Sequence, residues 1–375
     1  MISYQQQIKN LNELQDISLE FSPDLILIFT SSKDTVLSAV LKEMKLIYPE
    51  TIITGCSTAG QIIDTKVVDD AMIFNAIKFE NTQLKLQSVK ISDPSASRQA
   101  GSTLRASLEQ EDLSHILILS DGLNVNGAQL VNGLTSDKYK DVSITGGLAG
   151  DGSDFEYTYV INNGVIAENE IVGLGFYGDS LKVGYGSKGG WDSFGVERVV
   201  TKSKDNILYE IDNKPALDLY KSFLGSEAVN LPSSGLKFPL SIRTEEGSLP
   251  VVRTILSIDE ATNSLVFAGD IPEGAYARLM KSNLNHIITG AEDSAKICKS
   301  LQEAESDFSI LISCVGRRLV LNQLVEEEIE AVREVLGDKP HITGFYSYGE
   351  LAPFGEFNPC QLHNQTMTIT TFSEN

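Results

Sequence analysis

SILISCVGRRLVLNQLVEEEIEAVREVLGDKPHITGFYSY, residues Ser309 to Tyr348, reads as a buried strand, an arginine pair, an acidic helix and a second strand running onto glycine. Ser309 to Ser313 is a short continuous apolar run, the pattern of a strand covered on both faces. Leu324, Val325, Ile329, Val332 and Leu336 recur at helical spacing, which places Glu326, Glu327, Glu328 and Glu330 towards water and leaves Gly337 to stop the helix. The same plan occurs twice upstream. LILIFTSS from Leu25 leads through a helix to ITGCSTAG, and HILILSDG from His115 leads through a shorter one to SITGGLAGDG. Leu25 to Gly55 and Ile116 to Gly146 are each 30 residues, and Ile310 to Gly344 is 34. Three strand-helix-strand units in a mixed α/β fold with added hairpins are therefore expected.

The segments TGCSTAG, TGGLAGDG and TGFYSYG are expected to form equivalent glycine turns at strand ends, where open α/β sheets bind ligands. Ala71 to Phe79 and Leu84 to Ile91 read as strands extending the first sheet, and Tyr157 to Ala167 carries a hairpin around Asn162-Asn163-Gly164. The glycine-dense stretch Gly184 to Gly195 reads as a loop passing close to another backbone. Val229 to Pro250, rich in Pro, Ser and Gly, reads as an interdomain or lid-like segment. A boundary near residue 215 divides the chain into two domains, 1–214 and 215–375.

Composition narrows the function classes. The 375 residues carry 30 basic and 51 acidic side chains, a net charge of −21 that repels phosphate backbones and anionic lipid, so nucleic acid and membrane surfaces are not expected partners. No apolar run approaches the roughly 20 residues of a membrane span. The N-terminal MISYQQQIKN lacks a basic start and an apolar middle, and four scattered cysteines suit reduced thiols; a cytoplasmic protein is expected.

GCSTAGQI (Gly55 to Ile62), GGLAGDG (Gly146 to Gly152), FAGDIPEGAYARLM (Phe267 to Met280), SCVGRRLVL (Ser313 to Leu321), GFYSYGELAPF from Gly344 and LHNQTMTIT ending at Thr370 together resemble the FIST (F-box and intracellular signal transduction) family, in that family's order and over nearly the whole chain. The resemblance implies a FIST N and a FIST C domain and a cytoplasmic sensor of a small ligand. Many members carry an attached output domain and none is read in this sequence, so action through a separate effector such as a kinase or cyclase is implied.

Candidate ligand contacts are Gly55, Cys56 and Ser57 in the first segment, Gly146, Gly147, Gly150 and Asp151 in the second, and Gly344, Tyr346, Tyr348, Gly349 and Glu350 in the third. Aromatic rings beside a carboxylate and free amides could hold an amino acid or similar metabolite; the alternative is tyrosines in the core with satisfied hydroxyls. Arg317 and Arg318 could fork onto a ligand carboxylate, or pair with the acidic helix or Glu350. Cys56 or Ser57 as the nucleophile of a hydrolase or transferase is a further alternative, although no histidine is adjacent to complete a relay. No cofactor is demanded by the sequence. Some stand-alone members of the resembled family are haem-based nitric oxide sensors, and since one histidine can ligate haem iron, His363 is the candidate ligand under that alternative. The acidic helix Val325 to Leu336 and the segment Val229 to Pro250 are the two surfaces considered for output.

Overall fold

In a computed structural model, which describes residues 1–135, 142–245, 250–302, 304–353 and 359–374, the three units are present and closed into a ring. In each, two parallel strands are joined by an outer helix: Leu25–Ser31 with Ile52–Thr58, Leu113–Ser120 with Ser143–Leu148, and Phe308–Cys314 with His341–Ser347. The helices are Leu37–Ile47, Gly127–Leu134 and Val325–Leu336. A third strand returns antiparallel to the first: Met72–Lys78, Glu170–Tyr177 and Met367–Glu374 respectively.

The units are tied together by exchanged strands. Gln61–Ile63, which follows the first unit, pairs with the third. Val160–Asn162, which follows the second, pairs with the first, and Gly349–Pro353, which follows the third, pairs with the second. Edge strands pass the other way. Gln83–Lys90 does not extend the first sheet, as expected from sequence, but pairs with Glu170–Tyr177 of the second unit; Leu181–Lys188 pairs with Met367–Glu374 of the third. Ile2–Ile8 fills the corresponding edge of the first. Because each six-stranded sheet holds strands from its neighbour, no unit can complete its sheet alone.

The inner faces of the three sheets share one core, in which Leu27, Phe29, Cys56, Leu117, Ile310, Phe345 and Phe372 are buried together. Phe29 and Phe345 lie 4.9 Å apart by ring centroid, and Phe176 stacks on Phe372 at 5.4 Å. Each such fully buried side chain contributes roughly 1.5–3 kcal/mol.

The repeated glycines stand inside strands, not in turns, which corrects the sequence expectation. Gly55, Gly146 and Gly344 are the register partners of Ile28, Ile118 and Leu311. A Cβ at these positions would stand 1.8, 2.0 and 1.8 Å from those residues' carbonyl oxygens. Glycine is required there by close backbone approach. The glycine-dense stretch after residue 180 is likewise strand: a Cβ on Gly186 would meet the Ser294 carbonyl at 2.2 Å, so these glycines let Leu181–Lys188 lie on the helix Leu284–Leu301.

Between that edge strand and that helix the third unit carries an inserted module. It begins on the strand Trp191–Lys204 and ends on Tyr276–Ser282, which pair so that Trp191 faces Ser282. The module has its own core around the helix Ala216–Leu224, with Val200, Leu208, Leu217, Tyr220 and Phe267 buried. The segment read as lid-like is partly structural: Ser234 to Leu236 are buried and Leu240–Arg243 is a strand, while residues 246–249 lie outside the described residues. Among the described residues, no helix is long and apolar enough to cross a membrane.

Replacing Gly55 or Gly344 with alanine should destabilise the protein by about 3 kcal/mol or more, since the strand pair must separate to admit the methyl group. Gly152→Ala, where a Cβ would meet nothing within 4 Å but φ is +82°, should cost about 1 kcal/mol. Urea denaturation of the three variants would measure this difference.

Candidate functional site

The three segments singled out in the sequence do converge. The Ala59 amide donates to the Tyr346 carbonyl at 2.8 Å, the Gly150 amide to the Ser57 carbonyl at 3.0 Å, and the Tyr348 hydroxyl to the Asp151 carboxylate. They meet as a packed junction. A Cβ on Gly147 would lie 2.8 Å from Ile312, and one on Gly150 would lie 3.0 Å from the Ala59 nitrogen. Asp151 also accepts from the Phe155, Glu156 and Tyr157 amides at 2.9, 2.8 and 2.7 Å, and so organises the loop after the second unit.

Arg317 is fully buried and makes four hydrogen bonds. Its Nε and Nη2 donate to Glu328 at 3.0 and 2.7 Å, Nη2 also to the Ile287 carbonyl at 2.8 Å, and Nη1 to the Gly189 carbonyl at 2.7 Å. Glu328 in turn accepts from Ser313 at 3.1 Å and from the Tyr346 hydroxyl at 2.8 Å. The helix therefore turns Glu328 inward rather than to water, as the sequence pattern suggested, while Glu326, Glu327 and Glu330 are exposed. Arg318 donates to the Ala59 carbonyl and to Asp69 at 2.6 Å, with its guanidinium 5.7 Å from the Tyr346 ring centroid. Both arginines are engaged within the protein.

Gly349 and Glu350 lie on the strand lent to the second unit. Burial pushes the Glu350 carboxyl up to about 8, against hydrogen bonds from Ser347 at 2.7 Å and from the Thr366 amide and hydroxyl at 3.2 and 3.0 Å. Cys56 is enclosed in the shared apolar core, where burial raises its pKa well above the thiol range, and the Ser57 hydroxyl accepts from the Tyr159 amide at 3.1 Å. Among the described residues neither contacts a histidine, so no nucleophile and base are assembled there. His363 is buried in sheet, its Nε2 donating to the Ala352 carbonyl at 3.0 Å, and burial lowers its pKa to about 4. His363 is enclosed between packed strands, and neither groove described below is lined by it, so among the described residues no space for a haem adjoins its imidazole.

Open space lies elsewhere, where the inserted module meets the ring. A groove of about 610 Å³ runs between the helix Gly127–Leu134 of the second unit, the module, and Cys360 to Leu362 of the strand following Gly349–Pro353. Ala128, Val131 and Asn132 line one side, Ile242, Val251 and Pro272 the other. Arg253 and Asp270 supply its charges. A second groove of about 270 Å³, mainly apolar, lies within the module between Phe194, Arg198 and Phe223. None of the candidate ligand contacts named from the sequence lines either groove, although Leu240, Ile242 and Thr244 of the segment read as lid-like do. The polar pair Arg253 and Asp270 was missed because Arg253 lies outside the matched motifs, and Asp270, within FAGDIPEGAYARLM, looks like an ordinary turn carboxylate.

A FIST N domain model matches residues 24–214 and a FIST C domain model residues 216–353. The chain belongs to the FIST family. FIST domains are associated with sensing in signal transduction. The junction of the two FIST matches falls within the inserted module, between the strand Ile207–Ile211 and the helix Ala216–Leu224. An uncharacterized protein of Methanocaldococcus jannaschii is 25% identical over 224 residues, which is 56% of this chain and 41% of that protein. The crystal structure of a cyanuric acid hydrolase from A. caulinodans aligns over 100% of this chain and 99% of its own at TM-score 0.33 and 10% identity, a likeness too weak to bear on fold or activity.

Glu328→Ala, which leaves the Arg317 charge buried without its partner, should cost about 3–5 kcal/mol, whereas the paired change Arg317→Met with Glu328→Leu should cost less. Chemical denaturation of both variants would check this. A second expectation concerns pH. The Glu350 carboxyl ionises near 4.5 as a free side chain and near 8 when folded, so between these values the unfolded chain releases the proton first. Its contribution is fully present below about pH 4.5 and is lost as pH rises to about 8, at up to about 1.4 kcal/mol per pH unit. Glu350→Gln should flatten that decline in a plot of unfolding free energy against pH. His115 and His363, lowered by burial to about 3 and about 4, act oppositely and weaken the fold as pH drops below 6.5.

Proposed function

We propose that this FIST protein is a cytoplasmic sensory module that binds a small metabolite of the amino acid type in the groove between the inserted module and the second unit. It would pass its state to a separate effector such as a kinase or cyclase. The observation that carries the reading is the groove itself: about 610 Å³ falls within the range of small-molecule sites, and an interface between two structural bodies is where such sites concentrate. Its mixed lining, with apolar walls and two charged side chains, suits a small amphipathic molecule.

The position of the groove also supports signalling. The module is connected to the ring through the adjoining strand ends at Trp191 and Ser282. It is further held by the Trp191 indole donating to the Gln365 carbonyl at 3.1 Å, and by the Gln365 amide donating to the Leu236 carbonyl at 2.9 Å and to Thr254 at 3.1 Å. A ligand that touches both walls binds differently to different settings of the module, and such differential affinity is what shifts a conformational equilibrium. The exposed carboxylates Glu327, Glu330 and Glu334 on the third unit's helix offer an effector a charged face.

Thermal-shift screening of the purified chain against free amino acids and other small metabolites should raise the melting temperature for at least one class. Asn132→Trp, an exposed position on the groove wall, should weaken that ligand at least tenfold without lowering the melting temperature of the unliganded protein. Unchanged binding in this variant would place the ligand outside the groove.

A further inference from the structure

Resting on the reading of the groove as the sensory site, the geometry points to the class of molecule it takes and to the two residues that select it. Arg253, on the strand Val251–Arg253, is 7% exposed, and its guanidinium is satisfied only in part. Nε donates to the Asp270 carbonyl at 3.3 Å, and Nη1 to the Val252 and Leu362 carbonyls at 3.3 and 3.1 Å. Among the described residues Nη2 has no hydrogen-bond partner and no carboxylate forms an ion pair with the group. Burial lowers its pKa to about 10, which leaves it charged at neutral pH. Arg317, fully buried, shows what a structural arginine looks like in this protein: it has a carboxylate on its fork and every nitrogen engaged.

Asp270 stands on the same groove, and its carboxylate is turned away from Arg253. Asn126 donates to its Oδ1 at 2.7 Å and Gln129 to its Oδ2, so Arg253 hydrogen-bonds only the residue's backbone carbonyl and meets the carboxylate as a nearby charge without a direct contact. No cation pairs with it among the described residues. A buried cation and a carboxylate are thus held apart on one groove, each with a neutral set of neighbours. A dipolar molecule lying between them would pair with both charges at once, a carboxylate on the guanidinium and a cation on the aspartate.

We propose that the groove binds a small zwitterion, with its carboxylate on the open edge of the Arg253 guanidinium and its cationic group on Asp270. An aliphatic portion would pack against Val131, Ile242, Val251 and Leu362. A dianion such as inorganic phosphate is disfavoured, because the Asp270 carboxylate shares the groove and the chain carries a net charge of −21. A simple cation is disfavoured in turn by Arg253. A guanidinium fork matches a carboxylate in two-point geometry, which makes Arg253 the selecting residue for that end.

Calorimetric titration of the full chain with the twenty common amino acids, then with the carboxamide and N-acetyl derivatives of any that binds, tests the proposal. We expect one or more amino acids to bind and each derivative to bind at least tenfold more weakly. Arg253→Gln should weaken the parent amino acid at least tenfold but leave the carboxamide nearly unchanged, and Asp270→Asn should do the same for the parent against the N-acetyl form. Should Arg253→Gln fail to fold, the derivatives on the unaltered protein decide alone. A carboxamide that binds as well as its acid, binding of inorganic phosphate that Arg253→Gln abolishes, or no binding by any amino acid would each overturn the zwitterion. If a metabolite found by thermal shift still loses affinity in Asn132→Trp, the groove remains the sensory site and only its ligand class is wrong.

Discussion

The contact on which the rest of the structure depends is the buried ion pair of Arg317 and Glu328. Arg317 leaves the end of a buried strand on a short helix, and its fork takes a carboxylate from the third unit's long helix. The same guanidinium donates to Gly189, just before the inserted module, and to Ile287, just after it. One side chain therefore fixes both chain ends of the module against the ring. Glu328 extends the network to Ser313 and Tyr346 on the two parallel strands, so strand pair, helix and module are held in a single register. Such a pair is weak as a source of net stability, since taking both charges out of water costs several kcal/mol. Its effect is on specificity, because any arrangement that separates the partners leaves an uncompensated charge in the interior.

The ring itself obeys a different constraint. Each parallel strand pair is drawn so close that only glycine fits at one register position, and each sheet is completed by strands from the neighbouring units. Exchange of hairpins in one direction and edge strands in the other leaves few sheet edges unpaired and makes folding of the ring a cooperative event. The inner faces then contact one another, which is why the centre is filled with leucine, isoleucine and phenylalanine around the buried His115, itself hydrogen-bonded to Thr145. The proposed ligand groove lies outside this centre, at the place where the threefold plan is broken.

That break is the inserted module. The corresponding connections of the first two units run directly from edge strand to helix; in the third unit the same connection contains a second core. Where its wall faces the second unit's helix, the two surfaces do not close fully, and charges from one body stand beside neutral hydrogen-bond donors and acceptors from the other. Asp270 of the module accepts from Asn126 and Gln129 of the ring, and Arg253 of the module donates to Leu362. A molecule bound there would touch both bodies at once, as the proposed sensory reading requires.

The sequence by itself determined the threefold plan, because continuous apolar strands, helical periodicity and a glycine at fixed spacing are local properties that survive in one dimension. It also determined the family, since its motifs lie along the chain in order. The equivalence of Gly55, Gly146 and Gly344 was legible, but not the reason for it: a missing Cβ signals a turn and a close approach alike, and only the strand register distinguishes them. Glu328 looked like its neighbours, because a helical pattern ranks residues by polarity and cannot see the arginine that draws one glutamate inward. The tyrosines and the first arginine were offered as ligand contacts for the same reason, their partners lying on other elements. Arg253 and Asp270 come from strands and loops of a body whose placement no periodicity encodes, against residues more than a hundred positions away. Only the tertiary structure could decide which charges pair with a carboxylate, as Arg317 does, and which do not, as at Arg253, since that depends on distances between segments and not on their composition.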